Sequence, residues 1–250
     1  MEVAAGVRRL GSRWVNFYLL EEGGRLTLLD AGYPGYWSHL EVELREMGRR
    51  MDDIDAILLT HSHADHRGLA ERVRRASGAP VYVHPADAPS VHGDVPERPP
   101  AFLKQGWEPF LYRYIVHAIV NGAGRQPPVA ALDEFADGDV VDVPGHPRVI
   151  HTPGHTPGSC ALHLADRGVL FCGDTLATID LLAGKPRPAI PPDFVNHNTG
   201  QAIESTRILE GFEAQLMLPG HGEPWTGGVR EAVRIATEGL RPSRAQVAAS

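Results

Sequence analysis

A layered α/β sandwich is the fold class that this 250-residue sequence predicts. Two observations carry the prediction. Strand-like apolar runs alternate with helical patterns through the first 84 residues, and a second strand-rich series begins near Asp139. Helices at the margins of two strand-rich halves are what stacked sheets need to cover their apolar faces. A third observation bears on chemistry. Histidines and aspartates gather where strands run out, beginning with "THSHADH" at 60–66.

In chain order, "WVNFYLL" and "RLTLLDAG" are apolar runs separated by "EEGG", which reads as a hairpin. "WSHLEVELREMG" has a helical pattern and stops at a glycine. "DAILLT" reads as a buried strand, followed by the histidine loop, a helix over "GLAERVRRASG" and a short strand at "PVYVH". The second series reads as strands over "DVVDV", "RVIHT", "SCALHL" and "GVLFCGD". It closes with a helix at "GQAIESTRILEGF", a strand at "AQLMLPG" and a C-terminal helix at "GVREAVRIATEGL". Between the two series, residues 85–130 are rich in proline and aromatic side chains and hold one helix, "PFLYRYIVHAIVN". That insertion would pack on the core, wall a pocket, or do both. No repeat period of the solenoid kind is present, so residues 1–250 are expected to form one domain carrying a helical insertion at about 85–130.

Composition narrows the function classes. A hydrophobic content of 42% with 22% charged residues is that of an ordinary globular protein. A net charge of −7 gives no electrostatic footprint for nucleic acid, which needs clustered Lys and Arg. No apolar run reaches the roughly 18 residues of a membrane span, and the N-terminal stretch lacks a secretory pattern. A cytoplasmic protein acting on a small molecule is expected, with no membrane and no nucleic-acid partner. Cys160 and Cys172 fall in one predicted hairpin centred on Asp166, roughly opposite each other. In a reducing compartment they should be buried thiols rather than a disulfide.

Histidine and aspartate at these spacings suit a metal better than a merely polar loop. His61 and His63 are two apart, which favours an extended segment for ligands converging on one ion. Asp65 and His66 follow just before a helix, whose N-terminus favours a carboxylate. Neutral imidazole and carboxylate are suitable zinc ligands. His155 sits in "HTPGHTPGS", Asp174 at the strand end "FCGDT", and His221 in the glycine-flanked "LPGHGEP". Each lies at a strand-to-loop junction, where a rigid scaffold commonly presents functional groups. Five histidines and two aspartates suffice for two metals sharing one carboxylate. Among the other histidines, His84 and His151 read as structural, whereas His197 in "FVNHNTG" is placed to line the mouth of a site.

The series "THSHADH", "TPGHTPGS", "GDT" and "PGHG" closely resembles the metallo-β-lactamase-fold hydrolases, glyoxalase II-like enzymes included, over nearly the whole chain. The resemblance implies a four-layer αββα sandwich with metals at the edge between its sheets. Carried over residue by residue, His61, His63 and His155 would hold one ion, and Asp65, His66 and His221 the other. Asp174 would bridge them, and Asp30, in "LLDAG", would support the ligands from behind. Two divalent ions are implied, zinc first, with iron or manganese as substitutes. The resemblance further implies a metal-bridging hydroxide as nucleophile, with Asp65 and Asp174 the residues closest to the chemistry.

Departures from the family's patterns narrow the substrate. Asp174 stands where the β-lactamases lack a bridging carboxylate, which points away from β-lactams. The lactonases of the family place a tyrosine soon after the bridging aspartate; "DTLATID" has none, leaving Tyr112 or Tyr114 of the insertion to reach in. Glyoxalase II has histidine where Ser62 stands here, and its glutathione-binding basic residues have no match. An ester-like acyl bond is the expected target, thioester first, then lactone or ester. A persulfide dioxygenase-like oxidoreductase with one iron on His61, His63 and His155 is the alternative, and a nuclease of the same fold is another.

Overall fold

The computed structural model describes residues 1–96, 108–238 and 240. Residues 97–107 of the predicted insertion and residue 239 of the predicted C-terminal helix lie outside the described residues.

The first half forms a sheet whose spatial order follows the chain: β1 (Glu2–Ala4), β2 (Val7–Gly11), β3 (Asn16–Glu22), β4 (Arg25–Leu29), β5 (Ile54–Leu58), β6 (Val81–Val83) and β7 (Asp133–Glu134). β1 to β4 pair antiparallel through short turns, while β4 to β7 pair parallel. Parallel neighbours need crossovers. Here α1 (Trp37–Glu46), then α2 (Ala64–Arg67) with α3 (Ala70–Ser77), then α4 (Ala88–His92) with α5 (Pro109–Val120) supply them. The second sheet contains β8 (Arg148–His151), β9 (Cys160–Leu164) and β10 (Val169–Gly173), with β13 (Leu216–Pro219) parallel to β10 at one edge. A small hairpin of β11 (Ala177–Ile179) and β12 (Pro186–Ala189), α6 (Thr199–Ile208) and α7 (Val229–Thr237) complete the half.

Side-chain alternation sorts these strands into three cores. Leu19, Leu28 and Ile57 face α1 and α3, where they meet Leu40, Leu44 and Val73. Their neighbours Leu20, Leu29 and Leu58 face Leu162, Phe171 and Leu218 of the other sheet. Leu170 and Met217 point the opposite way, onto Val229 and Val233 of α7. Strands buried on both faces read as continuous apolar runs rather than alternating ones, which is why "YLL", "TLLD" and "AILL" are so uniform. Helix, sheet, sheet, helix is the four-layer order. Among the described residues no helix is long and apolar enough to cross a membrane.

Two expectations need correction. "DVVDV" forms no strand: Val140 makes a single bridge to Arg148, and Val143 N–H bonds to the Val141 carbonyl. The segment curls so that Val141 and Val143 both enter the central core, a burial that a turn achieves as well as a strand. β7, two exposed residues that no pattern announces, pairs with β6 as the edge of the first sheet. The cysteines are buried thiols, but they do not face each other. Phe171 opposes Leu162, which sets Cys172 against Ala161, and a one-residue offset puts side chains on opposite faces. Cys160 lies in the core between the sheets and Cys172 in the core under α7.

The insertion both packs on the core and walls a cavity. α5 starts at Pro109, whose missing N–H costs nothing at a helix start. It turns Leu111 and Ala118 inward. The Trp14 ring lies 4.8 Å from Phe110 and 6.0 Å from Tyr114. Tyr36 O–H donates to His117 Nε2 at 2.6 Å, and Gly35 N–H donates to the Asn121 carbonyl at 2.9 Å.

Candidate metal centre

All seven sequence-predicted ligands converge at one edge of the sandwich, where strands of both sheets end. Their donor atoms group as His61, His63 and His155, as His61, His66 and Asp174, and as Asp65, His66 and His221, within 4.8 Å of one another in each set. β5 delivers His61 and His63, and the short α2 delivers Asp65 and His66. β10 ends at Asp174, and β13 leads into His221. Asp174 stands between the sets: Oδ2 is 2.9 Å from His221 Nε2 and 3.5 Å from His155 Nε2, and Oδ1 is 3.4 Å from His66 Nε2. Gly220 explains the glycine of "PGHG", because a Cβ there would lie 2.2 Å from Asp174 Oδ1.

Hydrogen bonds behind the ligands fix which ring nitrogen faces inward. His66 Nδ1–H donates to Asp30 Oδ2 at 2.8 Å. His61 Nδ1–H donates to Thr60 Oγ1 at 3.0 Å, and Thr60 Oγ1 donates in turn to Asp30 Oδ2 at 2.9 Å. His155 Nδ1–H donates to Asn196 Oδ1 (2.9 Å), and His221 Nδ1–H to the Trp14 carbonyl (2.6 Å). With Nδ1–H committed to these partners, Nε2 is the ring nitrogen that faces the centre, the arrangement that orients and strengthens imidazole ligands. Asp30 itself sits at φ 58°, a left-handed conformation that aspartate tolerates and that turns its carboxylate back under the ligands.

Whether the donors fit a cation is answered by what they lack. The Nε2 atoms of His61, His66 and His155 and Oδ1 of Asp174 are buried without a hydrogen-bond partner. Leaving one such group unsatisfied costs roughly 1–3 kcal/mol, so four pointing at one another demand a ligand. Divalent cations held among these donor sets would satisfy all of them.

Electrostatics divides the histidines. Burial pushes His61 well below the ordinary imidazole range and His63 down to about 3; it also lowers His155, so these three are neutral at pH 7, the form that can bind a metal. Burial opposes charging His66 and His221 as well, but the surrounding carboxylates together outweigh it (Asp174, Asp30 and Asp65 for His66, Asp174 and Asp65 for His221), raising His66 strongly and His221 to about 9. Burial would raise Asp65 and Asp174, yet His66 and His221 beside them hold both low. In the metal-free protein, protons on His66 and His221 occupy the electrostatic role of a cation.

The centre forms the floor of a cavity of about 360 Å³. Leu111, Ile115, Ala118 and Ile119 of α5 form one wall, and Leu181, Phe194 and Val195 contribute the other. Tyr114 stands where wall meets floor and donates from its hydroxyl to Asp65 Oδ2 at 2.8 Å. Tyr33 O–H donates to Tyr114 Oη at 3.2 Å. Burial first, then the Asp65 charge, drives the Tyr114 phenol far above its ordinary range and keeps it protonated.

Two sequence-predicted pocket residues are elsewhere. Tyr112 is exposed on α5, one residue out of step with the inward face, and does not line the cavity. His197 is exposed too; its backbone N–H bonds to the His155 carbonyl, and the neighbouring Asn196 reaches the ligand instead. Asn196 and the Trp14 carbonyl are supports that the sequence does not announce. Asn196 has a faint signal in standing next to the histidine of the correct loop. His84 and His151, expected to be structural, stack face to face at 4.0 Å away from the centre.

Comparison with known proteins agrees with this geometry. The sequence pattern of the metallo-beta-lactamase superfamily matches residues 13–221. The chain is 31% identical over 242 residues to the probable metallo-hydrolase YflN of Bacillus subtilis (strain 168), spanning 90% of this chain and 87% of that protein. Among solved structures, the metallo-beta-lactamase family protein TTHA1429 from Thermus thermophilus matches with a TM-score of 0.67 and 26% identity, over 93% of this chain and 78% of that one. TTHA1623 in a di-iron-bound form matches with a TM-score of 0.64 and 26% identity, over 92% and 98%. The chain belongs to the metallo-beta-lactamase superfamily and is a metal-dependent hydrolase.

Proposed function

We propose that this superfamily member hydrolyses an ester-like acyl bond in an uncharged, apolar small molecule, thioester first, then lactone or ester. The observation that carries the reading is the cavity itself. A floor of histidine and carboxylate donors meets apolar walls, and among the described residues no Lys or Arg lines it. A phosphodiester or an acidic conjugate would find no basic side chain on those walls, which weighs against a nuclease.

His61, His63 and His155 would hold one divalent ion, and Asp65, His66 and His221 a second, with Asp174 shared. Two ions at such a centre lower the pKa of water towards ~7 and polarise a carbonyl oxygen. The chain's own residues do the rest. Asp30 and Asn196 keep the imidazoles turned inward. Asp65, steadied by Tyr114, is positioned to take a proton as the acyl bond is attacked. Leu111 and Ile115 exclude bulk water, which strengthens every charge interaction at the floor. Zinc is the metal that the mixed His and Asp set suits first; the di-iron-bound TTHA1623 makes iron the leading substitute.

The test is metal analysis of protein purified without added metal, beside a panel of thioesters, lactones, esters and phosphodiesters. About two ions per chain and turnover of uncharged acyl substrates are expected. Saturation at one iron with persulfide oxidation would replace the reading with the dioxygenase, and a phosphodiester preference would replace it with the nuclease.

A further inference from the structure

Asp87 lies between β6 and α4, 1% exposed, with a carboxylate that no ligand touches. Its Oδ2 accepts the Ser62 N–H at 2.8 Å and the Thr156 hydroxyl at 2.7 Å, and its Oδ1 accepts the Gly158 N–H at 2.8 Å. Ser62 separates His61 from His63, and Thr156 follows His155. The three donors therefore come from the two loops that carry the three-histidine set. Approach is close on the second loop: a Cβ on Gly158 would sit 2.7 Å from Asp87 Cβ, so only glycine lets "TPGS" close onto the carboxylate. A bond from Cys160 N–H to the Thr60 carbonyl joins the bases of the same loops; Asp87 joins their tips.

From this juxtaposition we infer that Asp87 is a positioning residue for the His61, His63 and His155 set, resting on the metal-binding reading given above. Asp30 takes the bonds of His66 and Thr60 on the other side of the centre, so the two buried aspartates divide the scaffold between them. A charged acceptor with three donors is strong and hard to replace. Asparagine in its place keeps the size but turns an N–H₂ towards donors, pushing the tips of the two loops apart. The spacing of His155 from His61 and His63 depends on those tips. Asp65, His66 and His221 hang from α2 and β13, which Asp87 does not touch.

Zinc titration against a chelator tests this in two backgrounds. In His221→Ala the three-histidine set is intact, and adding Asp87→Asn should weaken zinc binding by the ~10–100-fold typical of a lost ligand support. In His63→Ala the Asp65, His66 and His221 set is intact, and the same substitution should leave affinity unchanged. No loss in the first background, or equal loss in both, would overturn the inference. Should Asp87→Asn fail to fold, Thr156→Val deletes one of the three bonds and should shift affinity in the same background and direction; an unchanged affinity overturns the inference just as well. The unsubstituted protein is titrated alongside. If it binds two zinc ions while the variants behave as their parents, Asp87 alone was misjudged; if it binds none, the metal reading falls and the inference with it.

Discussion

The edge of the sandwich and the helix α5 face each other across one cavity and are built on different terms. At the edge, every predicted ligand hangs from a strand end or the short α2, and four of the five imidazoles are held from behind by a hydrogen bond. α5 is an amphipathic helix set down on that edge, with Val116 and Val120 61% and 78% exposed on its outer side. Tyr114 to Asp65, His117 to Tyr36 and Asn121 to Gly35 are the polar ties between helix and scaffold. The difference teaches a division of labour. Rigid sheet ends fix where charges sit, and a loosely tied wall decides what lies beside them.

The largest test of that division is Asp174→Ala. It removes the carboxylate between both ligand sets, so kcat/KM should fall by more than the ~10–100-fold expected of a residue that merely supports a ligand. The variant should still fold, because the three apolar cores lie elsewhere, but metal-free it should melt below wild type, since His66 and His221 lose the carboxylate that stabilises their protons. Near-normal turnover would break the picture of the edge as the site of chemistry.

Metal removal comes next, and its pH dependence has a definite sign. Folded His66 and His221 have raised pKa values, about 9 for His221, so their contribution is fully present below ~6.5 and is lost as pH rises through 9. Folded His61, His63 and His155 have lowered values, about 3 for His63, so theirs is present above ~6.5 and is lost as pH falls towards 3. Thermal melts of metal-free protein should therefore weaken on both sides of neutrality. Added zinc should stabilise most at the alkaline end, where it replaces departing protons. A flat melting profile between pH 6.5 and 9 would contradict the arrangement of charges at the edge.

Tyr114→Phe probes the seam between edge and wall. Deleting a hydrogen bond to a charged group costs about 1.5–3 kcal/mol at most, so a loss of roughly tenfold in kcat is expected with metal content unchanged. An unaltered rate would mean that α5 contributes shape alone. Ile115→Ala should have the smallest and most selective effect. Removing methylenes from an apolar pocket costs ~1–3 kcal/mol of discrimination, so kcat/KM should drop for substrates with long acyl chains and hold for acetyl ones. A uniform drop across chain lengths would place Ile115 outside the substrate's path.

Much of the edge was legible because its residues announce themselves twice, by type and by place. His61, Asp174 and His221 each follow an apolar run, and glycine or proline beside the last two marks the turn. The sandwich was legible from strands so apolar that both faces had to be covered. Polar supports outside the motifs were not legible: Asp87 stands in a proline-rich stretch with no periodicity, and its partners lie 25, 69 and 71 residues away. Register was beyond reach as well. The face that Tyr112 or Tyr114 presents, or that Cys160 and Cys172 occupy, turns on one or two residues of phase. Short strands with exposed arginines, such as β12, carry too weak a pattern to be seen, and so does β2, whose two central arginines are half-buried.

His221 is oriented by the main chain of Trp14, not by its side chain. A carbonyl oxygen survives every amino-acid exchange, so position 14 is free to drift under selection without releasing the histidine. The indole meanwhile lies against Phe110 and Tyr114, the inner side of α5. One position thus carries two inheritances, an invariant atom for the metal edge and a variable ring for the wall. Descendants of this chain can retool the cavity there without first losing the chemistry.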